Sequence, residues 1–222
     1  MKDLKAVKGR YYISRLIEEG EHEHQDFKFA ISDARKIARS ISAFANNDGG
    51  RLLIGVKDNG AIAGVRNEED IFVVEQAATM FCEPDVPIQV TAFAAGEGHI
   101  VLRVDITRAT TRPVTVKELD GRRRAYYRVK DENIVAHPLM VEAWRIADGH
   151  NPDRQPFMLS SDGPENQILT HIEREPTTPQ RLAILSHLSQ SRTNDIIVNL
   201  CAMGLAKFSY IDGIFKVTHC GI

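Results

Sequence analysis

Three carboxylates stand where they could do chemistry together: Glu21, Asp26 and Asp58, with Lys28 beside the second. Hard divalent cations such as Mg²⁺ or Mn²⁺ take carboxylate oxygens, and a phosphodiester can be cut by water that such a metal activates. Glu21 and Asp26 are five residues apart, so a regular strand would set them on opposite faces. A shared site therefore requires the backbone to curl between them. Acidic residues at strand ends and turns are usually solvated, and Asp58-Asn59-Gly60 also has hairpin-turn chemistry. His22 and His24 alternate with Glu21 and Glu23; with no third zinc ligand in the pattern, they read as a polar edge.

A second chemistry is phosphate contact. Arg122, Arg123, Arg124, Arg128 and Lys130 are interleaved with Tyr126 and Tyr127, a mixture suited to phosphate binding and base stacking. Arg103, Arg108, Arg112 and Lys117 extend the run. Near the C-terminus, Ser191, Arg192, Thr193 and Asn194 fall at the start of a helix, where a recognition helix would meet base edges, and Lys207 and Lys216 flank the hairpin behind it. Acids and bases nearly cancel across 164–222, which is poor for phosphate affinity.

The elements that must position these residues follow from periodicity. A basic lead-in precedes a helix with Tyr12, Leu16 and Ile17 on one side, ended by Gly20. Phe27 and Phe29 alternate with Asp26 and Lys28, placing the phenylalanines toward the core and the charges away from it. Ser32 or Asp33 caps a helix whose apolar face holds Ile37, Ile41, Phe44 and Ala45. Gly49-Gly50 suits the helix exit, where Asn46 or Asn47 could share a positive φ. Leu52 to Val56 is continuously apolar, as in a strand covered on both sides, and a hairpin returns to Val65. Asn67 and Asp70 form a variant capping box for a helix through Ile71, Val74, Ala78 and Phe81. Strands follow at 88–92 and 100–106, a hairpin around Asp120-Gly121, and a helix from Pro138 to Ala147 containing Trp144, a packing residue. The stretch 148–164 is rich in turn formers. Three helices and a β-hairpin close the chain, with Ser191, Thr193 or Asn194 capping the third helix; this is the winged-helix order.

Composition excludes little but orients the rest. The 222 residues are 43% hydrophobic and 26% charged, with a formal charge of −2, so a sizeable core is available and any nucleic-acid binding needs a local patch. Cys82, Cys201 and Cys220 are far apart and lack metal spacing, consistent with reduced thiols. Without a signal-like apolar run or a long apolar span, the expectation is a cytoplasmic protein with no membrane partner.

On Glu21-x4-Asp26-Phe27-Lys28 and SAFANNDGGRLLIGVKDNGAIAGV from Ser42 to Val65, the chain resembles the AlbA_2 domain of Schlafen-type proteins. The family pattern is E-x4-E-F-K followed by AFAN-x-x-GG-x-L-x-I-G-V-x-D-x-G. RRRAYYRVKDENIVAHP, from Arg122 to Pro138, also fits the end of that domain, and the likeness spans roughly residues 10–140. The resemblance implies a nucleic-acid-binding or transcriptional regulator, often with a helix-turn-helix tail. It also implies a second activity, since some Schlafen proteins are metal-dependent endoribonucleases using three acids that fall here on Glu21, Asp26 and Asp58. Asp26 departs from the family glutamate and shortens that reach by one methylene. Relatives are sometimes labelled ATP-binding, yet the chain has no GxxxxGK(S/T) loop, and Asn46-Asn47-Asp48-Gly49-Gly50 supplies neither its lysine nor its hydroxyl.

The fold expected is α+β: an AlbA_2-like mixed sheet with flanking helices over 1–148, a linker over 149–163, and a winged helix-turn-helix over 164–222. The function expected is DNA binding by a transcriptional regulator, with Lys28, the 122–130 cluster and residues 191–194 as contacts. One alternative is RNA cleavage with Mg²⁺ or Mn²⁺ held by the three acids. The other is an interaction module that forms a homodimer through its tail.

Overall fold

The computed structural model describes residues 6–29, 33–65, 69–149 and 157–221. The expectations placed on Ser32 and Asn67 and on most of the linker lie outside those residues. The chain divides into two compact units, Met1–Thr110 with Val114–Val135, and Thr111–Pro113 with Ala136–Ile222.

The first unit is built around a helix that has almost no solvent face. Helix α2 (Ala34–Asn46) follows α1 (Arg10–Glu19), and nine of its thirteen residues are buried. Asp33 caps it, accepting from the Arg35 N–H at 2.9 Å. One side meets a five-stranded mixed sheet ordered β1-β5-β6-β3-β2 (β1 Val7–Lys8, β5 Ile88–Gly96, β6 His99–Ile106, β3 Gly50–Ile54, β2 Gln25–Lys28), in which β1 and β2 run parallel to their neighbours. The other side meets an antiparallel sheet ordered β4-β7-β8-β9 (β4 Cys82–Glu83, β7 Thr115–Lys117, β8 Arg123–Val129, β9 Glu132–Val135). A single apolar stripe is what the helical periodicity shows. Its polar stripe faces protein as well.

That second face works by hydrogen bonding. Ser42 Oγ donates to Val114 O at 2.8 Å and accepts from the Tyr126 N–H at 3.1 Å. Asn46 Nδ2 donates to Val114 O and Tyr126 O, each at 2.9 Å, and its Oδ1 accepts from the Val114 N–H at 2.8 Å. Small polar residues on α2 thus stand in for strand partners of the second sheet, and buried backbone groups are satisfied. Gly49 takes the positive φ of the helix exit, at +81°, and neither Asn46, which is helical, nor Asn47, with φ −95°, shares it. A Cβ on Gly49 would also stand 2.8 Å from Ile106 O.

Strand β3 behaves as its apolar run predicts. Leu52 and Ile54 join the core containing α2, while Leu53, with Val56 beyond the strand, joins a second cluster with Ile13 and Leu16 of α1. Strand β2 differs from expectation. Phe27 is buried, but Phe29 is 41% exposed, and Asp26, expected outside, is 2% exposed. The second sheet covers the face that alternation alone would give to water. Helix α3 (Glu69–Gln76) continues as a π-helical turn, Ala77–Phe81, and closes the α2 core with Val74, Ala77 and Ala78.

In the second unit, helices α4 (Pro138–Ala147), α5 (Pro164–Arg174), α6 (Pro179–Leu185) and α7 (Gln190–Ala202) precede the hairpin β10 (Ala206–Ile211) and β11 (Ile214–His219). Thr177, between α5 and α6, bridges to Val217 of β11. The division groups α4 with the second unit, whereas the boundary expected from the sequence lies at 148. Met140, Ala143 and Trp144 bury the inner side of this helix, it packs on α7, and the Arg112 guanidinium ties its end to Asp148 at 3.0 Å. No helix among the described residues is long and apolar enough to cross a membrane.

Candidate functional site

Glu21 and Asp26 do meet, because the chain curls through His22–Gln25 before β2 begins. His22 and Gln25 exchange backbone hydrogen bonds of 2.9 and 3.1 Å, and Glu21 Oε1 then reaches back to accept from the Phe27 N–H at 2.8 Å. The two carboxyls share a hydrogen bond. Burial, then that bond to Asp26, pushes the Glu21 carboxyl up to about 7. Asp26 goes the other way: although burial opposes it, the hydrogen bond from Glu21 and the charges of Lys28 and Arg128 hold it below the usual carboxylate range. Glu21 is therefore the protonated partner and Asp26 the ionised one.

Asp26 is already neutralised. Lys28 Nζ lies 2.7 Å from Oδ2, Ser40 Oγ donates to the same oxygen at 2.9 Å, and an Arg128 nitrogen stands 3.6 Å from Oδ1. Arg128, 1% exposed, also donates to Gln25 O at 3.1 Å and Asn133 Oδ1 at 3.0 Å, with its guanidinium over the Phe44 ring. Asp58 does not join this pair; it is exposed in the turn beyond β3. Among the described residues, no three His, Cys, Asp or Glu side chains gather closely enough to hold a metal ion. A cation entering at Asp26 would have to displace Lys28 and compete with a fixed guanidinium, so the donor set does not fit Mg²⁺ or Mn²⁺.

The pH behaviour of this pair is testable. A Glu21 carboxyl raised from 4.5 to about 7 adds stability below its unfolded value and loses it as pH rises through about 7. Asp26, depressed, contributes above its unfolded value and loses that as pH falls. Glu21→Gln should remove the decline between pH 4.5 and 7, measured as the pH dependence of thermal midpoint. An unchanged slope would show that Glu21 titrates normally.

The expected nucleic-acid residues sort by burial. Arg128 is interior, and Lys28 is turned onto Asp26. Tyr126 is 6% exposed, its hydroxyl donating to Glu118 Oε1 at 2.5 Å, so it is a core residue rather than a stacking platform. Tyr127 is half-buried, and burial pushes its hydroxyl up. Arg123 pairs with Glu83, and Arg124 with Asp120 at 2.6 Å. Arg122, Lys117 and Lys130 are exposed and in no ion pair among the described residues. In the second unit Ser189, not Ser191, Thr193 or Asn194, caps α7, accepting from the Arg192 N–H. Thr193 is fully buried and donates to Ser189 O at 3.0 Å; Asn194 accepts from Gln190 at 2.7 Å; Arg192 leans toward Glu165 at 3.6 Å. Ser191 and Arg192 remain exposed.

Sequence reasoning missed the roles of Arg128, Asn46 and Ser40. Period two was the available signal for Arg128, since it shares a strand face with Tyr126.

The family model for the Schlafen AlbA_2 domain matches residues 21–137, just over half of the chain. The chain belongs to this family. The matched AlbA_2 segment stops just before α4, near the boundary between the two units. No curated protein matches the chain. Among solved structures, a Corynebacterium diphtheriae protein is 16% identical with a TM-score of 0.46, covering 87% of this chain and 34% of its own. The N-terminal domain of a RecG-related protein from Nitrosomonas europaea is 19% identical with a TM-score of 0.40, covering 60% of this chain and 97% of its own. The chain thus spans about a third of the Corynebacterium protein's length, and at such similarity neither structure informs its function.

Proposed function

We propose that the chain is a nucleic-acid-binding regulator, acting on DNA in the cytoplasm, that grips without cutting. The observation that carries this is the tip of the β7–β8 ribbon. Lys117 and Arg123 are paired directly across it, Arg122 sits in the turn, and Leu119 is 80% exposed between them. Arg123 is held by Glu83, but Lys117 and Arg122 have no acidic partner among the described residues, and a bare leucine in water gains nothing. Both features suit a partner that supplies phosphates and a groove, since duplex binders use cations with an apolar wedge in this way. AlbA_2 membership supports the same class of ligand.

The second unit follows the order of a winged helix, with the Thr177–Val217 bridge joining its first connection to the hairpin. Six of thirteen α7 residues are buried and α4 packs along it, which leaves only its first turn for base contact. The ribbon is therefore favoured as the main DNA contact, and the second unit is assigned an auxiliary or homodimer role.

Anisotropy of a labelled duplex tests this. Lys117→Glu/Arg122→Glu should weaken binding more than tenfold at low salt and, by removing two phosphate contacts, reduce the slope of log affinity against log salt by roughly 2. Equal affinity of wild type and variant at low salt removes the ribbon from the account. Duplex DNA and structured RNA should both survive incubation with Mn²⁺; cleavage lost in Asp58→Asn would instead support the metal-nuclease alternative through Glu21, Asp26 and Asp58.

A further inference from the structure

Gly60, at the end of the turn after β3, lines a cavity. Its volume is about 280 Å³, and Arg10, Ser14, Gly60, Ile62, Gly96, Glu97 and His99 are among its lining residues. Three separate elements meet there: the start of α1, the hairpin after β3, and the β5–β6 turn. Arg10 and Ser14 are four residues apart on α1 and so share one helix face. Arg10 has no acidic partner among the described residues. Its stem lies against Gly96, where a Cβ would stand 3.1 Å from Cδ. Gly96, at φ +101°, both turns the chain and leaves room for the guanidinium. His99 rests on Gly64 in the same way, within 3.1 Å of an added Cβ.

An unpaired arginine, a hydroxyl and an imidazole converging on one hollow form a donor-rich site for an oxyanion, and the guanidinium fork matches phosphate geometry. Glu97 limits the choice. A carboxylate in the lining disfavours a ligand with several negative groups, so a single phosphate on an organic stem fits better than a polyphosphate. We propose that this cavity binds a phosphomonoester, from either a free nucleotide or the phosphorylated end of a nucleic-acid strand. Only the strand-end source rests on the nucleic-acid function proposed above. Arg10 and Ser14 precede the segment matched by the family model, and the other lining residues lie within it.

Titration calorimetry on the full chain tests it with adenosine monophosphate, adenosine, adenosine triphosphate, and a short single strand with or without a 5′-phosphate. The monophosphate should bind better than adenosine and the triphosphate, or the phosphorylated strand better than its hydroxyl twin; which pair discriminates identifies the source. Arg10→Gln, at an exposed position without ion pairs, should lower that affinity roughly tenfold or more with an unchanged circular dichroism spectrum. Ser14→Ala should lower it by a smaller factor. Lys117→Glu/Arg122→Glu should leave monophosphate binding intact, so failure of the ribbon and failure of the cavity are separable. Equal binding of phosphorylated and unphosphorylated ligands, or wild-type affinity in Arg10→Gln, overturns the proposal.

Discussion

Arg128→Met is expected to destabilise the first unit by about 3–5 kcal/mol, the range for removing one partner of a buried ion pair. The substitution keeps an unbranched stem over Phe44 but strips the cation from Asp26 and the donors from Gln25 O and Asn133 Oδ1. Asp26, 2% exposed, would then keep Lys28 as its one cation, beside the hydrogen bonds from Ser40 and Glu21. Urea unfolding measures the loss. A double-mutant cycle identifies its cause: Arg128→Met combined with Asp26→Asn should cost clearly less than the sum of the singles, because the charge that had been stranded is gone. Additive costs, or a single-mutant loss under about 1 kcal/mol, would mean that Arg128 is not the counter-ion described here. If Arg128 were instead a phosphate contact, the variant would unfold normally and lose duplex affinity. The expected result is the reverse, with affinity retained by the folded protein.

Asn46→Ala is expected to cost about 2–4 kcal/mol, because it leaves buried backbone groups unpaired rather than merely deleting contacts. Asn46 is 1% exposed and acts as both acceptor and donor toward Val114. Asn46→Asp keeps the acceptor for the Val114 N–H but turns an oxygen toward Val114 O and Tyr126 O. It should be at least as damaging at neutral pH, with part of the loss recovered in acid as the buried carboxyl takes up a proton. Urea midpoints at two pH values would check both variants. Losses within 0.5 kcal/mol of an exposed control such as Asn59→Ala would show that the α2 to second-sheet contact is not held by this side chain.

These two residues also mark what could be read from the sequence. Helix α2, strand β3, the β5–β6 hairpin and the closing order of three helices and a hairpin are all legible, because each has its own period, cap or turn. Hydrophobic alternation in β2 correctly separates Phe27 from Asp26 and Lys28 but cannot say which side is dry. A second sheet, contributed from residues 82–135, covers the charged side. Nothing local to β2 announces it.

The same limit governs the candidate site. Spacing and family likeness bring Glu21, Asp26 and Asp58 forward as one group, since residue type is all that a sequence displays. Only the tertiary structure distributes them. The curl at His22–Gln25 joins Glu21 to Asp26, Arg128 arrives from a strand about a hundred residues later to neutralise the pair, and Asp58 goes to a turn bordering another cavity. The sequence by itself determined the family, the elements and the identity of the ionisable groups, all of which depend on near neighbours in the chain. Tertiary structure decided which charges are buried together and which face water, because desolvation and ion pairing depend on contacts between distant segments.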